Sequence, residues 1–118
     1  MWQAAMELVE KVYSLTRDFP KYETYALSSQ MQRATVSIPS NIAEGHAREH
    51  IKEYLHHLSM AQGCLAELET QLEIAARLGY FSREQFNQTF DCTQALGRQL
   101  RALRNSLGRT LNNPAPST

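Results

Sequence analysis

"IKEYLHHLSMAQGCLAELETQLEIAARLG", residues 51–79, is the stretch on which the fold turns. Ile51, Tyr54, Leu58, Ala61, Leu65, Leu68, Leu72 and Ala75 alternate spacings of three and four. That rhythm holds one seam of a helix in phase for several heptads, and such a seam packs against other helices in a bundle or a coiled coil. At 1.5 Å per residue the segment is roughly 43 Å long. Leu55, Ile74 and Leu78 lie off the seam, so the helix is expected to bury more than one face.

On the C-terminal side, "RLGYFSREQF", residues 77–86, is a stop and a restart. Gly79 suits a C-terminal cap because it tolerates the left-handed conformation. Ser82 followed three residues later by Gln85 fits a capping box, with Phe81 and Phe86 at the hydrophobic-staple positions. A fourth helix then shows Phe86, Phe90, Thr93, Leu96, Leu100, Leu103 and Leu107, with Gly97 beside the stripe where it allows close helix approach. "NNPAPST", residues 112–118, has nothing to bury and is predicted to be a disordered tail, leaving residues 1–111 as one domain.

On the N-terminal side, Trp2, Ala5, Met6, Val9, Val12 and Tyr13 predict the apolar stripe of a first helix. Pro20 ends it, and Phe19, Tyr22 and Tyr25 are expected to cover one end of the core. A second helix starts near Leu27, with Met31, Ala34, Thr35, Ile38 and Ile42 on its apolar face and Gly45 as its end or a bend. Pro39 interrupts this helix. It cannot donate to the carbonyl of Thr35, at a cost of roughly 3 kcal/mol in an exposed helix. The helix either bends there or stops and restarts; the unbroken apolar phase favours a continuous, kinked one. Four helices with short links give an all-α, antiparallel up-down-up-down four-helix bundle with a proline-interrupted second helix.

Composition narrows the chemistry. The 118 residues include twelve Lys plus Arg and twelve Asp plus Glu, so overall charge gives no reason to expect a nucleic-acid or anionic-membrane partner. Cys64 and Cys92 lack metal-ligand spacing and are expected to stay reduced and unpaired. No run is apolar for long enough to span a membrane. The N-terminus carries acids without a basic flank, unlike a signal peptide, and the protein is expected in the cytoplasm. There is no glycine-rich phosphate loop, no HExxH and no nucleophile–base pair. Glu67, Glu69 and Glu73 have no accompanying Glu-x-x-His, which argues against a di-iron site. No catalytic residue, cofactor or metal is expected. His46 and His50 share a chelating i, i+4 spacing but lack a third ligand.

Two polar groupings remain. Gln30, Arg33, Ser37, Asn41 and Glu44 form a stripe beside the apolar face of the second helix. Either it is a solvated face, or it is a half-buried seam against another helix. Arg98, Arg101, Arg104 and Arg109 carry four charges with no acid between Ala95 and Thr110. In an antiparallel bundle this end of helix four is expected to meet Arg48 and Lys52 at the start of helix three. Together Arg48, Lys52, Arg98, Arg101 and Arg104 make a candidate nucleic-acid or acidic-partner patch.

"SSQMQRATVSIPSNIAEG", residues 28–45, and "EYLHHLSMAQGCLAELETQLEIAARLGYF", residues 53–81, closely resemble the bacterial four-helix-bundle family of 23S ribosomal-RNA intervening sequences. That family also includes the accessory variability determinant of diversity-generating retroelements. The resemblance spans about residues 5–107 and rests on Gln30, Arg33, Ser37, Ile38, Pro39, Asn41, Ile42, Glu44 and Gly45, then Leu65, Glu67 and Leu68. It implies a four-helix protomer assembled as a homopentamer, with no catalytic activity. It also implies that Arg33, Ser37, Asn41, Glu44 and Glu67 form a polar helix-packing seam, within or between protomers. Two function classes follow. The first is a non-enzymatic oligomeric interaction or scaffold protein. The second is a nucleic-acid-binding accessory protein that acts with a partner such as a reverse transcriptase, as the strongly basic retroelement relatives do; for this neutral chain only weak binding is expected.

Overall fold

The computed structural model describes residues 1–112, and the expected tail, apart from Asn112, lies outside the described residues. The elements are α1 (Trp2–Arg17), a 3-10 turn (Lys21–Glu23), α2 (Leu27–His46), α3 (Ile51–Arg77) and α4 (Arg83–Asn112). Among the described residues there is no strand. Consecutive helices are neighbours, α2 and α3 most extensively, and α4 returns to α1. Thr93 of α4 meets Glu69 of α3 while Arg104 meets Gln62, so numbers rise in one helix as they fall in the other. This antiparallel register is what short links dictate.

The α3 seam is the spine of the core. Leu58, Ala61, Leu65, Leu68, Leu72 and Ala75 are all buried, and Ile51 and Tyr54 partly so. Burying a leucine fully contributes about 1.5–3 kcal/mol, so this one stripe outweighs any intrinsic helix preference in the segment. Ile74 and Leu78, by contrast, stay largely exposed. The end of α3 is a Schellman cap. Gly79 has φ 77°, the amide of Tyr80 donates to the carbonyl of Ala75, and that of Gly79 to Ala76. The restart is a capping box. The Gln85 amide donates to Ser82 Oγ at 3.1 Å, and the Ser82 amide to Gln85 Oε1 at 3.0 Å. Phe81 stacks on Phe86 with centroids 6.4 Å apart, closing the staple.

Three expectations are corrected. The buried face of α1 is Ala5, Leu8, Val12 and Thr16, while Trp2, Met6 and Tyr13 are exposed. At about 100° per residue the two stripes sit roughly a quarter-turn apart. The helix carries more apolar arc than the cleft between α2 and α4 can cover. Of the residues expected to cover the core end, only Phe19 is buried; Tyr22 and Tyr25 face solvent. Phe19 packs on Tyr80 and Phe81. The Tyr80 hydroxyl donates to Glu23 Oε2 at 2.7 Å and lies 3.3 Å from the Tyr22 hydroxyl, which ties the 3-10 turn to the α3–α4 turn. Gly45 is not a left-handed end to α2. It is buried one residue before the helix end, and an added Cβ there would lie 2.8 Å from His57 Cβ and 2.9 Å from Tyr54 Cδ1. Glycine is required because α2 and α3 touch at that level.

The helix is not broken at Pro39: α2 is one element from Leu27 to His46. The Pro39 ring is buried beside Ile38 and Ile42, so apolar burial offsets the lost donor.

Candidate interaction surface

The polar stripe of α2 runs along its junction with α3, and part of it is consumed by α2 itself. Ser37 Oγ donates to the carbonyl of Arg33 at 2.8 Å, and Asn41 Nδ2 donates to the carbonyl of Ser37 at 2.9 Å. Back-bonding of this kind is the usual fate of small polar side chains inside a helix. The Asn41 bond also fixes the carboxamide orientation. With Nδ2 committed to Ser37, Oδ1 faces His57 Nδ1 at 3.1 Å. Glu44 Oε2 lies 3.6 Å from the same nitrogen. Both neighbours are acceptors, so the Nδ1 of His57 must carry the proton. Asn41 and Glu44 thereby reach α3 through a histidine that the sequence pattern did not single out. The missed signal was local: His57 stands seven residues, two helical turns, before Cys64, on the α3 side that meets this stripe.

Further along, Cys64 sits beside Ser37 and Glu67. Burial pushes its thiol above the ordinary range, the Ser37 hydroxyl pulls the other way, and the Glu67 carboxylate adds to the rise. Such a thiol is poorly nucleophilic. Gln71 Nε2 donates to Glu67 Oε1 at 3.3 Å, while Gln71 Oε1 is buried without a partner. Arg33 and Glu67, both exposed, make no ion pair among the described residues. Arg33 instead lines a shallow groove between α1 and α2 with Tyr13, Gln32, Val36 and Ser37. Of the five seam residues, Ser37, Asn41, Glu44 and Glu67 have partners within the chain, and Arg33 lies in the α1–α2 groove.

The basic residues divide between different depressions. Arg48 and Lys52 flank a depression at the α2–α3 turn with Glu53, His56 and His57. Arg101 lies instead in the α3–α4 groove with Gln62 and Glu69, and Arg104 donates to Gln62 Oε1. Lys52 is ten residues before Gln62 on α3, about 15 Å along the axis. The register puts the end of α4, with Arg109 but not Arg98, Arg101 or Arg104, toward the start of α3. Arg98 is exposed. His46 closes α2 and His50 precedes α3, so they do not share one helix face. Among the described residues no three His, Cys, Asp or Glu side chains gather as a metal site, and no helix is long and apolar enough to cross a membrane. Cys64 and Cys92 are free.

Comparison with known proteins agrees with this architecture. The family model described as "23S rRNA-intervening sequence protein" matches residues 1–102. A crystal structure of a protein with unknown function from the S23 ribosomal protein family of Bacteroides thetaiotaomicron VPI-5482 superposes with a TM-score of 0.82. It is 21% identical and the match covers 88% of this chain and 94% of that one, a likeness that shows the fold. No curated protein matches the chain.

Proposed function

Because the chain belongs to the 23S rRNA-intervening sequence protein family, we propose that it is a non-enzymatic, cytoplasmic interaction protein that works as a homo-oligomer, with the homopentamer as its assembly. One observation carries this reading: among the described residues folding leaves charged groups without an ion pair and hydrophobic ones uncovered. Among the described residues Arg33 and Glu67 are exposed without an ion-pair partner, and Arg33 shares its groove with Tyr13 and Val36, which are also exposed. Exposed apolar side chains mixed with polar groups are the make-up of a protein–protein interface. The Asn41–His57–Glu44 bonds give the same surface a fixed shape by locking α2 to α3.

Light scattering on the full chain tests the reading, with a mass of several chains expected at micromolar concentration. Asn41→Ala and Glu44→Ala should lower the melting temperature or the mass. Unchanged values in both variants would remove the seam from the argument.

The arginine run favours a second reading, an accessory nucleic-acid-binding protein acting with a partner such as a reverse transcriptase. Arg98 and Arg101 are exposed on α4. Contacts from such a run go to phosphates and weaken steeply with salt. The combined change Arg98→Ala, Arg101→Ala and Arg104→Ala should abolish RNA binding at low salt. No binding by the unaltered chain at low salt would eliminate this reading.

A further inference from the structure

We propose that the α1–α2 face of one copy of this chain docks into the α3–α4 groove of the next, so that the joint between copies is directional. The inference rests on the oligomeric reading above and specifies its contact. Among the described residues, apolar side chains are uncovered on both of these helix pairs. One surface is the face where Tyr13 is 41% and Val36 40% exposed, continued along α1 by Met6 and Trp2. The other is the groove between α3 and α4, where Ile74 is 44% exposed beside Phe86 and Phe90, whose rings stack 5.2 Å apart. Ala66 and Thr70 are the small side chains of that groove, which leaves room for a large one to enter.

The two surfaces belong to different helix pairs, so they look out from opposite sides of the bundle. Their charges differ as well. The face carries Arg33, which has no ion-pair partner among the described residues. The groove carries Glu69 and Glu73 on its rim, with Arg77 paired to Glu73 at 3.1 Å. Matching the face to its own image gives Arg33 neither of the groove's carboxylates and leaves the groove uncovered. Matching face to groove sets Arg33 toward Glu69 and Glu73 and covers Tyr13, Val36 and Ile74 together. Like charges opposed across an interface are unfavourable, whereas complementary ones fix its register. A contact between unlike patches is heterologous, and repetition of it closes a ring when the rotation allows.

Such a joint has a signature that a two-fold contact lacks. Val36→Asp blocks only the face and Ile74→Asp blocks only the groove, and both sites are exposed, so each variant should fold, as circular dichroism will report. Each variant alone should run as a monomer in light scattering. Mixed in equal amounts, they should form a species of two chains, because one copy keeps its groove and the other its face. A wild type that is itself monomeric overturns the oligomeric reading. A wild-type oligomer with either variant unchanged in mass, or with the mixture still monomeric, overturns the joint alone. Should a variant fail to fold, charge reversal decides. Arg33→Glu and Glu73→Arg should each weaken assembly and together restore it, and a double variant as weak as the singles counts against the proposal.

Discussion

Replacing Gly45 by alanine should destabilise the protein, although the same exchange normally stabilises a helix. In an exposed helix interior, alanine is better than glycine by about 0.8–1 kcal/mol. At Gly45 the new Cβ would lie 2.8 Å from His57 Cβ and 2.9 Å from Tyr54 Cδ1, and 3.4 Å from the Tyr54 carbonyl oxygen. His57 Cβ is anchored directly to the α3 backbone, so it cannot swing aside, and the helices must separate by several tenths of an ångström. Overpacking of this kind costs about 1–3 kcal/mol. Moving α3 outward also stretches the His57–Asn41 bond, now 3.1 Å, which contributes about 1 kcal/mol. The net expectation is a loss of about 1–3 kcal/mol, or a fall in melting temperature on the order of 5–10 °C for a chain of this size. Gly63→Ala is the matched control. Gly63 is exposed in α3 with nothing within 4 Å of its added Cβ, so it should gain up to about 1 kcal/mol. Both are read by thermal and urea unfolding at one fixed protein concentration, because an oligomer's stability depends on concentration. A Gly45→Ala variant as stable as Gly63→Ala would refute the close approach of α2 and α3.

Gly79→Ala forces an L side chain to φ 77° and should cost about 1–2 kcal/mol in urea unfolding. Ser82→Ala removes the acceptor of the Gln85 amide and should cost about 1 kcal/mol in the same assay. Tyr80 is pushed well above the ordinary tyrosine range, first by its contact with the Tyr22 hydroxyl and next by its bond to Glu23. The folded state therefore favours its neutral form. That stability is fully present below the unfolded tyrosine pKa of about 10 and is lost as pH rises through the folded value. An ultraviolet titration should show one tyrosine ionising last, and Tyr80→Phe should remove that step; a titration unchanged by the substitution contradicts the bond. Cys64 and Cys92 should give equal thiol counts by mass spectrometry with and without reductant, and a bridge within one chain would contradict the α3–α4 register.

Helix identity was legible from residues 51–79 and from the Gly79 and Ser82–Gln85 signals because those features are local. A heptad seam, a left-handed glycine and a capping box each act over a few residues of one chain segment, and all three occur where the sequence puts them. The contact of Asn41 and Glu44 with α3 was not legible in their spacing, which sets them beside the apolar face and fits a solvated stripe equally well. Other features were decided only when the helices met. Trp2, Met6 and Tyr13 were expected in the core, but α1 has two overlapping apolar stripes and the cleft chose the one through Leu8 and Val12. Gly45 resembled a helix end in sequence, yet it is the point where α2 and α3 touch. Arg101 and the Arg48–Lys52 pair line different depressions, because the α3–α4 register sets Arg104 level with Gln62. Periodicity along one chain specifies which side chains share a helix face; it carries no information on how far one helix slides or rotates against its neighbour. Those two quantities come from side chains on different helices filling a shared volume, and they decide which hydrophobic and charged groups stay outside.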